Sequence, residues 1–152
     1  MNIESVFKEY VYQKEGIKLE KKDIFYVFIE LPELWEVRSD DLNGAVINRN
    51  QKMAGIYFKE PIIERLVDRV EWYNSMQNVY RIDYYGDYGY VYCEAFLNNG
   101  VVVSKSYYTP EHKEIIEHNI SNGVVSLYEN GSVFKLFHSD ADFVEYCQEL
   151  RK

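Results

Sequence analysis

Asp83 and Glu94 are the two residues best placed for chemistry, because strand alternation puts both carboxylates on one face of a tyrosine-rich segment. Two such groups can divide general acid and general base work between them. Arg81 and Lys105 fall in the same pattern, however, and ion pairing accounts for both acids without a reaction. Glu111, Glu114 and His118 fall at helical spacing, which would gather three ligand types on one helix face. No H-E-x-x-H motif and no second histidine support them, so no metal centre is expected. His112 shares its stripe with Ile116 and Ile120 and reads as a hydrogen-bonded histidine near the core. Cys93 alternates with Val91 and Ala95, a packing pattern rather than the setting of a nucleophile. His138-Ser139-Asp140 is explained by a helix cap. The chain has neither G-x-x-x-x-G-K-[ST] nor G-x-G-x-x-G, and Gly86-Asp87-Tyr88-Gly89 lacks the basic flanks of an RNA-clamping loop. No catalytic residue and no cofactor are expected.

Charge and tyrosine content carry more information. The 152 residues have a net charge of −8. It is uneven: residues 1–82 hold 14 acids and 12 bases, and residues 83–152 hold 11 acids and 5 bases. That sign disfavours direct contact with nucleic acid or an anionic membrane and favours a basic partner. No apolar run reaches the roughly 18–20 residues of a membrane span, and the N-terminus lacks a secretory signal pattern, which predicts a cytoplasmic protein. Cys93 and Cys147 show no paired spacing and read as buried free thiols. Tyrosine occurs 15 times, six of them between Tyr80 and Tyr92. Such a surface is large and stiff and ends in a polar group, as binding faces often do.

The elements that would position these residues follow from periodicity. Ile3, Val6, Phe7, Tyr10 and Val11 form the stripe of an N-terminal helix ending near Gly16. Asp23 to Leu31 reads as a buried strand closed by Pro32, and short strands flank a turn at Asn48–Lys52. Pro61 is read as the first position of a helix carrying Ile62, Leu66, Val70 and Tyr73. Thr109-Pro110-Glu111 reads as the cap of another, running to about Ile120. Ser139-Asp140-Ala141-Asp142 opens a C-terminal helix. Hairpin turns are expected at Gly86-Asp87, Asn99-Gly100 and Asn130-Gly131. They set Tyr85 opposite Tyr88, Glu94 opposite Lys105, Tyr92 opposite Tyr107 and Leu127 opposite Phe134. The expected fold is α+β in a single domain, residues 1–152. It has an antiparallel sheet of five to seven strands, an N-terminal helix, one or two helices packed on a face and a C-terminal helix.

In that register one sheet face carries Ile82, Val91, Cys93, Ala95, Leu97, Val102 and Tyr108 as core. The other carries Arg81, Asp83, Tyr85, Tyr88, Tyr90, Tyr92, Glu94, Phe96, Lys105 and Tyr107. With Asp87, the residues Asp83, Tyr85, Tyr88, Tyr90, Tyr92, Glu94 and Tyr107 form the expected partner-binding surface. In size, acidity and lack of a catalytic motif the chain resembles bacterial immunity proteins, antitoxins and phage-encoded inhibitors of host defence. The resemblance implies a non-enzymatic binder that neutralises a basic protein, a nuclease-type toxin or a nucleic-acid-binding effector. The alternative is a small-molecule-binding or enzymatic domain with a tyrosine-lined pocket, and a homo-oligomer joined through the same face is a third reading.

Overall fold

The computed structural model describes residues 2–17, 21–40 and 42–151. Among the described residues, helix α1 (Ile3–Glu15) comes first, residues 21–35 form an extended strap, and ten strands follow. These are β1 (Glu36–Ser39), β2 (Gly44–Asn48), β3 (Gln51–Phe58), β4 (Val67–Tyr73) and β5 (Val79–Tyr84). The second half holds β6 (Cys93–Asn98), β7 (Val101–Tyr108), β8 (Glu114–Asn119), β9 (Val125–Glu129) and β10 (Ser132–Phe137), before helix α2 (Asp140–Leu150). Every strand pairs antiparallel with its neighbours in sequence, so the ten make one continuous meander.

This overturns the expectation of five to seven strands with added helices packed on a face. At Pro61 the backbone is extended, and only one 3-10 turn (Ile62–Glu64) follows before Arg65 enters the left-handed region at φ 57. The Val67–Tyr73 stretch then pairs with β3 on one side and β5 on the other. Its β-branched and aromatic residues fit a pleated surface as well as a helix stripe. At Thr109 the hydroxyl accepts from the Lys113 amide at 3.1 Å, but this closes a turn, with His112 at φ 64. The same side-chain-to-backbone bond serves a helix cap or a turn. Asp23 to Leu31 is no strand. It contributes one bridge, Phe25 to Leu66, and a 3-10 turn at Tyr26–Phe28.

The end helices are formed as their signals indicate. Asn2 caps α1, Gly16 ends it at φ 61, and Ser139 Oγ accepts from the Asp142 amide at 3.1 Å to start α2. Asn99-Gly100 and Asn130-Gly131 both adopt positive φ at their tight turns, the geometry type I′ requires. Register departs by one residue after each. A bulge between Phe96 and Leu97 sets Glu94 opposite Ser106 and Ala95 opposite Lys105, which moves Lys105 and Tyr107 to the Cys93 face. A second, between Val133 and Lys135, sets Leu127 opposite Lys135. Gly86-Asp87 is not a two-residue turn: the last pair is Tyr84 with Cys93, and residues 85–92 form a loop.

Directly opposed residues share a face, so the pairing sorts the sheet into two. One face runs through Gly55, Glu71, Ile82, Ala95, Lys105, His118 and Val125. The other runs through Ile56, Val70, Asp83, Glu94, Ser106, Glu117 and Ser126. Each face is covered over one half only. Helices α1 and α2 bury the first face from β6 to β10, where Phe7 meets Tyr107 at 5.0 Å and Phe143 at 5.1 Å. The strap buries the second face from β2 to β5, placing Ile29 among Val46, Ile56, Val67 and Val70. Two cores thus lie on opposite sides of one sheet. Among the described residues no helix is long and apolar enough to cross a membrane.

Candidate functional site

Where the strap ends, the second face passes from apolar to charged, and a cavity of about 590 Å3 opens there. Asp83 and Glu94 stand side by side on its floor, only 6% and 8% exposed. The Trp72 indole donates to Asp83 Oδ2 at 2.9 Å, and Arg81 Nε lies 3.0 Å from Asp83 Oδ1 and 3.7 Å from Glu94 Oε2. Burial, reinforced by the Glu94 charge and opposed by Arg81, pushes the Asp83 carboxyl up to about 7. The guanidinium also lies over the Trp72 ring at 5.2 Å and the Tyr80 ring at 5.8 Å. Trp35, Tyr85, Tyr90 and His112 complete the walls, with His112 stacked on Tyr108 at 4.2 Å.

The loop 85–92 is fastened to the strap. Lys59 pairs with Asp23 at 2.7 Å and Asp87 at 3.2 Å and donates to the Gly86 carbonyl, while the Lys22 amide donates to the Asp87 carbonyl at 2.8 Å. The residues expected to form one open surface are therefore distributed. Asp83, Tyr85 and Glu94 are buried at the cavity, and Tyr90 lines its wall. Tyr107 is buried under α1 on the other face. The Tyr92 hydroxyl donates to Glu4 of α1 at 2.9 Å, and Tyr88 packs edge-on against Tyr12. Asp87 is the exposed member, paired with Lys59. Cys93 is buried, and its thiol is pushed up to about 12 by burial, which leaves it inert. Among the described residues no three His, Cys, Asp or Glu side chains converge on a metal position.

The half of the first face that α1 and α2 leave uncovered holds a different aromatic surface. Tyr57 and Tyr73 lie over Gly55, whose missing Cβ would stand 3.2 Å from the Tyr73 hydroxyl. Arg69 lies 4.2 Å from the Tyr57 ring centre and 2.9 Å from Glu71, and Lys52 approaches the Tyr73 ring at 5.7 Å. Tyr84 joins this surface to the helix-covered core. Beside it a hollow of about 560 Å3 is lined by Glu71, Val79, Ile82 and Leu97. Arg69, Glu71 and Tyr73 escape a reading that starts a helix at Pro61 and carries it through Tyr73. The signal that would find them is period-2 alternation, Arg69, Glu71, Tyr73, directly across from Tyr57 and Gly55.

Comparison with known proteins places this geometry. Residues 35–138 match the family of the GtfB middle domain. A protein of Streptococcus parasanguinis is 28% identical over 141 residues, 92% of this chain and 32% of that protein; it is a UDP-N-acetylglucosamine–peptide N-acetylglucosaminyltransferase stabilizing protein, GtfB. A namesake from Streptococcus agalactiae is 29% identical over 105 residues, 68% of this chain and 24% of that one. The chain thus spans about a third or less of these relatives. In fold it matches a chain in the crystal structure of a GtfA/B complex bound to UDP and GlcNAc, with TM-score 0.77 and 21% identity, covering 88% of this chain and 30% of that chain. These likenesses overturn the immunity-protein or antitoxin reading and its basic, nuclease-type or nucleic-acid-binding partner. The relatives are named for stabilising a glycosyltransferase.

Proposed function

The chain belongs to the GtfB middle-domain family, and from that premise we propose that it is a non-catalytic scaffold domain that docks and stabilises a glycosyltransferase of the GtfA type. The observation that carries the reading is the extent of the match. Residues 35–138 run from the start of β1 to the end of β10, so the shared unit is the ten-stranded sheet and not a catalytic cluster. The docking surface in this reading is the uncovered half of the first face, with Tyr57, Arg69, Tyr73 and Ile82 at its centre. Tyrosine and arginine dominate binding hot spots because each covers much area with few rotatable bonds and keeps a polar end. Burial of Asp83, Tyr85, Glu94 and Tyr107 favours this face over the 83–94 set.

We place the protein in the cytoplasm, a reading supported by two buried, unbridged thiols, and take residues 1–152 as one domain. The test is to mix the chain with the GtfA-type transferase of its own source and follow co-elution and the transferase melting temperature. A stable complex and a raised melting temperature are expected. Separate elution with an unchanged melting temperature contradicts the reading.

A further inference from the structure

The cavity on the strap side takes no part in docking through the opposite face, yet it has the features of a ligand site. Its floor is zwitterionic: the Arg81 side chain is 28% exposed beside Asp83 and Glu94 side chains at 8% and 11%. The polar groups of this floor are not saturated among themselves. Arg81 Nε and Asp83 Oδ1 are 3.0 Å apart but off the hydrogen-bond axis, and neither atom makes a hydrogen bond. A buried donor and a buried acceptor left open side by side are uncommon in folded proteins and call for an explanation.

Charge narrows the ligand. An anion entering the cavity would meet Asp83, Glu94 and Glu30, another lining residue, in a poorly solvated space, and a cation would have to compete with Arg81 for the carboxylates it already pairs with. A neutral hydroxyl meets neither penalty, since it accepts from the guanidinium and donates to a carboxylate at once. The walls add a second requirement. Trp35 and Tyr90 offer flat apolar surface beside the Trp72 and Tyr80 rings that carry Arg81, which suits a ligand with a C–H face as well as a hydroxylated edge. About 590 Å3 lies within the usual range for small-molecule sites. We propose that this cavity is a carbohydrate site that takes a neutral pyranose, its hydroxyls on Arg81, Asp83 and Glu94 and its C–H face on the aromatic wall that includes Trp35. The proposal stands apart from the docking reading, because it uses the other face of the sheet.

The protein supplies its own reporter, since its only two tryptophans, Trp35 and Trp72, both line the cavity with ring centres 6.4 Å apart. The experiment titrates the full chain with methyl β-D-glucopyranoside and methyl N-acetyl-β-D-glucosaminide, reading tryptophan emission and the indole N–H resonances. n-Butylammonium and acetate serve as charged controls. A serine-linked glycopeptide carrying the same sugar and its bare peptide separate a protein-borne sugar from a free one. A saturable response to at least one glycoside or the glycopeptide is expected, with tighter glycopeptide binding identifying the protein-borne source. Arg81→Lys, which keeps the charge and loses the fork of donors, is expected to weaken it by roughly tenfold or more. Trp35→Ala, a change on the strap outside the sheet, is expected to do the same. Melting temperatures confirm that both variants fold. No response to any glycoside or to the glycopeptide, a response to the charged controls or the bare peptide instead, or binding that survives both substitutions overturns the proposal.

Discussion

Burial beside Glu94 raises the Asp83 carboxyl from 3.8 to about 7, so between those values the folded chain holds a proton that the unfolded chain has released. Stability must then fall as pH rises through that window, the reverse of a salt-bridged carboxylate. Asp83→Asn removes the linkage, and its melting temperature is expected to lose less than the wild type's between about pH 4 and about pH 7. Parallel profiles for the two proteins would contradict the assignment. On the opposite face, Tyr57→Ala and Arg69→Ala are each expected to weaken transferase binding by on the order of 2 kcal/mol, read by calorimetric titration, with the fold retained. The sequence put Asp83 and Glu94 on one face, but not opposite each other; that pairing comes from the 85–92 loop, which replaces the expected two-residue turn. Their burial was not legible, because it depends on a strap that reads locally as a strand.

Among the elements, two attachments hold the layers together. The first is α1, whose Phe7 is fully buried against Tyr107, Phe143 and His118. Phe7→Ala leaves a cavity the sheet cannot close and is expected to cost about 3–5 kcal/mol in denaturant unfolding. The second is the contact of the 85–92 loop with the strap. Gly89 has φ 73, and a Cβ there would stand 2.9 Å from the Lys22 carbonyl oxygen. Gly89→Ala is therefore expected to lower stability by about 1–3 kcal/mol and to speed amide exchange in the strap. Unchanged exchange would show that the contact is dispensable. Elements bounded by tight chemistry were legible: α1 up to Gly16, α2 from Ser139, and the turns at Asn99-Gly100 and Asn130-Gly131. The segments after Pro61 and Thr109 were not, because proline and a hydroxyl cap close a single turn as readily as they start a helix. Ile115 and Ile116 are both buried in the core under the end helices, because a register shift between Tyr107 and Tyr108 leaves Ile115 as an extra residue, so no strict alternation marked that strand.

At the scale of the whole molecule, a meander with two half-covered faces cannot bury both sides by itself. It leaves two half-faces uncovered; the one on the first face bears tyrosine and arginine, and the family relationship gives that half-face a reason to be open. Charge was misleading at this scale. The net −8 suggested a basic partner, whereas the uncovered surface displays Lys52 and Arg69 over tyrosine rings. Net charge describes the average field of a protein and not the patch that docks. The most direct measurement is a calorimetric titration of the chain into its GtfA-type transferase, repeated with Tyr57→Ala/Arg69→Ala. Saturable binding that the double variant weakens by at least roughly a hundredfold, while its own melting temperature holds, is the predicted result. Equal affinity for both proteins, or no binding by either, would contradict the docking of a transferase through this face.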